Sequence, residues 1–143
     1  MENDARMTGG CLCGAVRFTA APRKLEMDVC HCSMCRRWSG GVFMAVPCGD
    51  SVEFESSATL GVFQSSDYGE RLFCRTCGST LAWRLKDGSS TAVSMQAFDD
   101  SSGFVFAEEI FIDEKPPQYA FANETRKLTG EEVFAQFTQA QGS

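Results

Sequence analysis

Cys74-Arg75-Thr76-Cys77-Gly78 and its earlier counterpart Cys11-Leu12-Cys13-Gly14 are the stretches that decide the fold. Each is a short-spaced cysteine pair followed by glycine, and glycine permits the backbone angles that a tight metal-binding turn needs. Together the two pairs offer four thiolates, which form a complete tetrahedral shell for a structural zinc. One zinc held by both pairs would close a long loop and couple metal binding to folding. The pattern therefore predicts a zinc bound by Cys11, Cys13, Cys74 and Cys77, joining an early strand to a late hairpin.

A cluster of a different kind lies between these pairs, in Cys30-His31-Cys32-Ser33-Met34-Cys35. Its three cysteines can reach one metal from a single loop and leave a coordination position for water or substrate, as in catalytic zinc sites. We therefore expect Cys30, Cys32 and Cys35 to bind a second zinc and to be the catalytic residues. His31, the only histidine in the chain, alternates with its cysteine neighbours in an extended segment. This alternation favours a hydrogen-bonding role behind the ligands over a role as fourth ligand.

Disulfides and an iron–sulfur cluster are two other uses of eight cysteines, and the sequence favours neither. A disulfide framework would suit an even number, but a Cys-x-Cys pair has poor geometry for closing on itself. The first residues, Met1-Glu2-Asn3-Asp4-Ala5-Arg6-Met7, have no apolar stretch typical of a secretory signal. An iron–sulfur cluster is disfavoured because no ferredoxin-like run of cysteines is present. Clustered cysteines in a reducing cytoplasm are more typical of metal sites, so we expect a cytoplasmic zinc protein.

Composition and charge limit the partners. Hydrophobic residues make up 43% of the 143 residues, and 12 of them are phenylalanine, which is typical of a globular domain with a real core. The formal charge of −6 repels phosphate backbones, so nucleic acid is not an expected partner. No apolar run approaches the roughly 20 residues that a membrane span needs, so no membrane partner is expected either.

Hydrophobic periodicity predicts a mainly β fold with little helix. Residues 14–20 alternate, with Val16, Phe18 and Ala20 on one face, and further short strands are expected at 41–46, 52–55, 60–63, 70–73, 80–85, 91–95 and 110–112. A short helix is expected to begin at Thr129, because 129–132 fits a capping box and Val133, Phe134 and Phe137 form an apolar stripe suited to core packing. Residues 32–38 favour a helical turn. With no linker or repeat, we expect residues 1–8 to be a tail and 9–140 to be a single zinc-binding domain.

Three stretches give this chain a family resemblance. They are Gly9-Gly10-Cys11-Leu12-Cys13-Gly14-Ala15-Val16-Arg17-Phe18, then Cys30-His31-Cys32-Ser33-Met34-Cys35-Arg36-Arg37-Trp38-Ser39-Gly40-Gly41, then Phe73-Cys74-Arg75-Thr76-Cys77-Gly78-Ser79. In spacing, order and flanking glycines they resemble the glutathione-dependent formaldehyde-activating enzyme family, a domain shared with centromere protein V. The resemblance covers residues 9–118. The chain departs from it at Glu109, where many members carry histidine.

The resemblance implies an Mss4-like fold of antiparallel sheets gathered around a structural zinc. It assigns Cys11, Cys13, Cys74 and Cys77 to that zinc, and Cys30, Cys32 and Cys35 to a second, catalytic one. The activity it implies is that of a carbon–sulfur lyase, which joins glutathione or a similar thiol to a small aldehyde such as formaldehyde. The alternative hypothesis is a zinc-stabilised binding module of the Mss4 type without catalysis. The three-cysteine site favours the enzyme, because a purely structural module has no need of it.

Overall fold

The computed structural model describes residues 5–142, with side chains described as far as Gln136. Across this range the chain is mainly β with two α-helices, one of them at the C-terminal end, which confirms the predicted fold class. The strands are short, and the cysteines of both clusters lie at strand ends, in turns or at the start of a helix. Among the described residues, no helix is long and apolar enough to cross a membrane.

Eleven strands are present in the described part of the chain. In order they are β1 (Met7–Gly10), β2 (Arg17–Ala20), β3 (Glu26–Cys30), β4 (Phe43–Pro47), β5 (Glu53–Phe54), β6 (Leu60–Gln64), β7 (Gly69–Cys74), β8 (Thr80–Leu85), β9 (Thr91–Ser94), β10 (Val105–Ile110) and β11 (Arg126–Leu128). The helices are α1 (Ser33–Ser39) and α2 (Gly130–Gly142), with 3₁₀ turns at Met95–Ala97 and Ile112–Glu114.

The chain divides into two compact units. The first unit comprises the described parts of Met1–Glu26 and Ala45–Val105, and the second unit comprises those of Met27–Met44 and Phe106–Ser143. The expected division into a tail and one domain from residue 9 stays a prediction.

The first unit contains two antiparallel arrangements of strands. In one, β2 pairs with β1 on one side and β5 on the other. In the other, strands follow the order β4, β9, β8, β7, β6. The predicted alternation at 14–20 is confirmed, because Val16, Phe18 and Ala20 are all buried. The Phe18 ring packs edge-on against Phe54 and Phe98, with ring centroids 6.1 and 5.5 Å apart, and so anchors the core of this unit.

The second unit contains most of β3 and β10, all of β11 and both α-helices. Strand β11 runs parallel to β10, and β10 lies beside β3. The predicted capping box of α2 is confirmed: the Thr129 amide donates to Glu132 Oε1 at 2.8 Å, and the Glu132 amide donates to Thr129 Oγ1 at 3.2 Å. Phe134 packs on Phe111 but is 50% exposed, so the expectation that it lies in the core is wrong. The side chain of Phe137 lies outside the described residues.

The prediction of a strand at 110–112 is wrong from Phe111 onward. β10 already ends at Ile110, and Phe111 has φ 55°, a left-handed conformation that is uncommon for a non-glycine residue. This reversal leads into the 3₁₀ turn Ile112–Glu114, where carboxylates cap both helices: Asp113 accepts from the Gly130 amide at 2.9 Å and Glu114 accepts from the Ser33 amide at 3.0 Å. Negative charge at a helix N-terminus is favourable, so the turn serves both helices at once.

Candidate metal centres

The four cysteines of the two glycine-flanked pairs meet in the first unit. Their Sγ atoms all lie within 4.8 Å of one another, as the sequence spacing predicts. Cys13 Sγ is 3.6 Å from Cys11 Sγ and 3.8 Å from Cys74 Sγ. Four sulfurs around one zinc at about 2.3 Å would lie about 3.8 Å apart, so these separations fit a tetrahedral thiolate shell.

Tight turns bring these sulfurs together. Gly14 and Gly78 have φ values of 83° and 79°, so both use the left-handed conformation that glycine tolerates. The turns also aim backbone amides at sulfur: the Val16 amide donates to Cys11 Sγ at 3.3 Å, and the Thr76 amide donates to Cys74 Sγ at 3.3 Å. Amide donors stabilise thiolates, so the backbone is prepared for metal ligation before any ion arrives.

The thiol pKa values in this cluster diverge. Hydrogen bonds from the Ser79 hydroxyl and amide lower the pKa of Cys77 to about 5. At Cys13 the Ala15 amide acts in the same direction, but desolvation and the neighbouring thiols outweigh it and raise the pKa to about 11. Four sulfurs this close cannot all carry negative charge unaided, so full ionisation calls for a cation in their midst.

The three cysteines of the middle cluster meet in the second unit, again within 4.8 Å of one another. Cys30 ends β3, Cys32 is the N-cap of α1 and Cys35 lies on the first turn of that helix, which confirms the predicted helical turn at 32–38. The Cys35 amide donates to Cys32 Sγ at 3.3 Å, so Cys32 acts as both cap and candidate ligand. None of the three is more than 8% exposed.

Burial and crowding keep the Cys30 thiol of this second cluster protonated in the absence of a cation. The Cys32 and Cys35 thiols, together with burial, strongly raise the pKa of Cys30. A metal cation would reverse this balance, because it replaces the thiol protons and neutralises the charge. The donor set of three buried sulfurs suits zinc, which prefers thiolate and imidazole ligands.

His31 lies between two candidate ligands, yet its imidazole has other partners. The ring is fully buried, with Nε2 2.8 Å from Glu109 Oε1 and Nδ1 2.7 Å from Tyr119 Oη. Both nitrogens are therefore occupied, and the histidine does not belong to the cluster that could hold a metal. This agrees with the sequence-based expectation that His31 supports the ligands and does not join them.

Glu109 anchors the network behind His31. Its carboxylate also accepts a hydrogen bond from Thr125 Oγ1 at 2.6 Å and lies 3.6 Å from Lys127 Nζ. Burial acts to raise the pKa of Glu109, but the Thr125 and His31 hydrogen bonds and the Lys127 charge prevail and lower it. An ionised carboxylate only accepts, so it keeps a proton on Nε2 of His31 and orients the ring.

Tyr119 and Arg36 complete the surroundings of the His31 loop. The Tyr119 ring stacks on the imidazole with centroids 5.5 Å apart. Burial raises the pKa of Tyr119, the Arg36 charge opposes this rise, and the Glu109 carboxylate adds to it. Arg36 Nε donates to the His31 carbonyl at 2.9 Å, whereas Arg37 is exposed. The sequence alone did not indicate Tyr119 or Thr125, because they lie 88 and 94 positions beyond His31 with no motif of their own.

Comparison with known proteins identifies the family to which this chain belongs. The model of the glutathione-dependent formaldehyde-activating enzyme family matches residues 6–114. An uncharacterized lyase of Schizosaccharomyces pombe is 33% identical over 126 residues, which cover 87% of this chain and 92% of that protein. The chain therefore belongs to the glutathione-dependent formaldehyde-activating enzyme family, and the resemblance drawn from its motifs is confirmed.

Two further relatives extend this comparison. A Halomonas elongata protein named as a glutathione-dependent formaldehyde-activating enzyme is 32% identical over 84 residues, covering 52% of this chain and 54% of that protein. A crystal structure of a Rhodobacter sphaeroides protein matches 65% of this chain and 88% of its own, with a TM-score of 0.57 and 24% identity. The latter likeness concerns the fold alone.

Proposed function

We propose that this chain is a zinc-dependent carbon–sulfur lyase that binds glutathione or a similar thiol together with a small aldehyde such as formaldehyde. The observation that carries the proposal is the three-thiol cluster of the second unit. Cys30, Cys32 and Cys35 converge within 4.8 Å, while the adjacent His31 is held by other partners. Such a site has three protein ligands where a structural zinc has four, which is the usual difference between catalytic and structural sites. Family membership supports the same reaction class.

The chemistry joins one sulfur to one carbon. The thiolate sulfur of the substrate attacks the aldehyde carbon, the C=O π electrons move to oxygen, and that oxygen takes a proton to give a hydroxymethyl thioether. A zinc ion bound by three thiolates supplies a positive charge that favours the thiolate form of an incoming thiol. The reverse reaction removes the hydroxyl proton and returns the C–S electron pair to sulfur.

The residues of the second unit would prepare this site in distinct ways. Cys30, Cys32 and Cys35 would hold the metal. Their burial limits water, which strengthens electrostatic interactions at the centre. Glu109 and His31 would fix the loop that carries Cys30 and Cys32, and Arg36 would add positive charge beside it for a substrate carboxylate.

The four-thiol cluster of the first unit has a structural role in this proposal. Cys11, Cys13, Cys74 and Cys77 would bind a zinc with no position left for substrate. Because two pairs far apart in the chain contribute, that zinc would hold the turn after β1 to the turn between β7 and β8. The Mss4-like arrangement expected from the family belongs to the same proposal.

The expected setting is the cytoplasm, with a small thiol as partner and no nucleic acid or membrane. None of the eight cysteines, all of which lie in the described part of the chain, forms a disulfide, which suits a reducing compartment. The acidic charge of −6 supports the expectation that nucleic acid is not bound.

Cobalt substitution at the three-cysteine site tests the function directly. Glutathione titrated into the cobalt-loaded protein is expected to change the charge-transfer and ligand-field absorption, because an added sulfur ligand alters both. S-methylglutathione, which has no free thiol, is the matched ligand control, and Cys32→Ser is the matched protein control. An unchanged spectrum at millimolar glutathione would favour the binding-module alternative, since a lyase of this class must bind the thiol.

A further inference from the structure

His31 has the surroundings of a metal-binding histidine with one difference. A metal-bound imidazole usually donates its other ring N–H to a carboxylate, and here Nε2 lies 2.8 Å from the ionised carboxylate of Glu109. Because that carboxylate only accepts, Nε2 carries the proton and Nδ1 carries a lone pair. Tyr119 Oη lies 2.7 Å from Nδ1, so the tyrosine hydroxyl donates to this lone pair. The hydroxyl therefore occupies the nitrogen that would bind a metal in the usual arrangement.

The chain position of His31 brings this lone pair close to the three-thiol cluster. His31 lies between Cys30 and Cys32, and consecutive Cα atoms are about 3.8 Å apart. Strand β3 ends at Cys30, so strand alternation does not by itself fix the imidazole on the side away from the sulfurs. Three cysteines and one histidine are a common ligand set of structural zinc. In the structure, however, neither ring nitrogen lies within 4.8 Å of all three sulfurs.

The other contacts of His31 hold its backbone. Its amide donates to the Ile110 carbonyl at 3.1 Å, and Arg36 Nε donates to its carbonyl at 2.9 Å. The imidazole is fully buried, so Nδ1 without a donor would be a buried and unsatisfied acceptor, which is a costly state. Tyr119 is itself held in place, because the Lys115 ammonium donates to its carbonyl and lies 5.0 Å from the centroid of its ring. The Tyr119 hydroxyl is thus a fixed partner for Nδ1.

We propose that Tyr119 is the positioning residue that keeps the second zinc site at three protein ligands, by occupying Nδ1 of His31. The inference rests on the proposed function, because the substrate thiol can take the fourth coordination position only if His31 does not. The hydroxyl then separates a site that accepts a thiol from a closed site of three cysteines and one histidine. Loss of this one hydroxyl frees the lone pair of Nδ1, and the adjacent metal is the partner that satisfies it.

The direction of the effect on metal affinity distinguishes this role from simple support of the loop. A residue that only supports metal ligands weakens metal binding by about 10- to 100-fold when it is removed. Tyr119→Phe removes the hydroxyl and keeps the ring that stacks on the imidazole. Because it frees Nδ1 as a fourth ligand, it is expected to lower the zinc dissociation constant of the second site about tenfold. Thr125→Val, which removes the 2.6 Å hydrogen bond to Glu109 in the same network, is expected to raise that constant.

Chelator competition and cobalt spectroscopy of the full chain test the proposal. Competition with a chromophoric chelator gives the zinc dissociation constant, and glutathione is titrated into the cobalt-loaded protein. Tyr119→Phe is expected to need about tenfold more glutathione for a half-maximal spectral change, because the thiol must displace a nitrogen ligand. Tyr68→Phe is the matched control, since Tyr68 is the other of the two tyrosines and lies in the first unit; both of its values are expected to equal those of wild type.

Two results would overturn the role of Tyr119. One is a zinc dissociation constant that rises or stays unchanged in Tyr119→Phe, and the other is a glutathione response equal to that of wild type. A wild-type cobalt site that does not respond to glutathione would contradict the proposed function instead, and the zinc affinity of Tyr119→Phe would still decide the role of the hydroxyl.

Proton–nitrogen correlation NMR of the imidazole gives a measurement that needs neither a folded variant nor a thiol. His31 is the only histidine in the chain, so its two ring nitrogens are assigned without ambiguity. In the zinc-loaded wild-type protein, Nε2 is expected to carry the proton and Nδ1 to have the chemical shift of a hydrogen-bonded nitrogen without a metal. A wild-type Nδ1 shift typical of a zinc-bound nitrogen would overturn the proposal.

Discussion

The two thiol clusters are built in opposite ways. The cluster in the first unit draws four cysteines from two turns, with Cys13 and Cys74 61 positions apart, and leaves Cys13 exposed. The cluster in the second unit draws three cysteines from six consecutive residues and buries all of them. The cluster with more candidate ligands is therefore the more exposed one, and the cluster with fewer is buried. The long-range cluster ties distant segments together, whereas the local cluster rests on a strand end and a helix cap that other contacts already hold.

This contrast makes the four-thiol cluster the more important of the two for folding. Cys77→Ser is expected to leave the protein insoluble or unfolded, because it removes one ligand from a metal that closes a long loop. Soluble yield, zinc content and thermal unfolding measure the effect.

Cys48→Ser is the matched control for that substitution. Cys48 is buried outside both clusters, and its thiol donates to the Val46 carbonyl at 3.3 Å, a bond that a serine hydroxyl can also make. This variant is expected to stay folded with unchanged zinc content. If Cys77→Ser were equally soluble and stable, the structural role of the first cluster would be wrong.

The support behind the three-thiol cluster predicts a smaller and more local effect. Glu109→Gln removes the charge that orients His31, and is expected to weaken zinc binding at the second site about 10- to 100-fold while the fold persists. Competition with a chromophoric chelator measures the affinity. Glu108→Gln is the control, because the neighbouring Glu108 pairs with Arg126 at 3.2 Å and does not reach the histidine. Equal affinities for the two variants would show that Glu109 does not support the site.

A still smaller effect is expected in the first unit, away from its cysteines. Hydrogen bonds from Arg17 and Thr8 lower the pKa of Asp99 to about 2 from its ordinary 3.8, against a weak opposing effect of burial. A lowered native-state pKa means that the stabilisation is complete above about 3.8 and is lost as the pH falls through about 2. The pair is solvent-accessible, so its contribution is small.

Thermal unfolding at several pH values tests this expectation. Asp99→Asn is expected to lower the Tm slightly at neutral pH, with the difference from wild type shrinking between pH 4 and 2. Asp50→Asn, at an exposed turn residue, is expected to match wild type throughout. A difference for Asp99→Asn that stays constant down to pH 2 would contradict the assigned pKa.

The sequence predicts both cysteine clusters well because their geometry is local. Two turns with glycine at φ near 80° and a strand–helix junction are encoded in a few residues each. The sequence also predicts that the Cys11/Cys13 and Cys74/Cys77 pairs meet, because these two pairs together supply the four ligands of a structural zinc. The capping box before α2 is equally local and equally predictable.

The parts that the sequence did not predict depend on distant contacts. Tyr119 and Glu109 reach His31 from 88 and 78 positions away, and no spacing rule connects them. The strand expected at 110–112 ends early because Phe111 reverses the chain to place Asp113 and Glu114 at two helix starts. Local hydrophobicity favours a strand there, but the hydrogen bonds of Asp113 and Glu114 to the starts of the two helices require a turn. Strands β1, β3, β11 and all of β10 before Ile110 were not predicted. β1 and β11 have only four and three residues, whereas β3 alternates polar and apolar residues and its pattern could have indicated a strand.

Metal content followed during chelator titration tests the central contrast most directly. The purified protein is loaded with zinc, zinc per chain is measured at equilibrium with increasing chelator, and circular dichroism is recorded on the same samples. We expect two zinc ions per chain, of which the one at Cys30, Cys32 and Cys35 leaves first while the spectrum stays unchanged. The second should leave only with unfolding, and Cys32→Ser should lack the first step. Simultaneous loss of both ions with unfolding would contradict the distinction between a structural and a functional site.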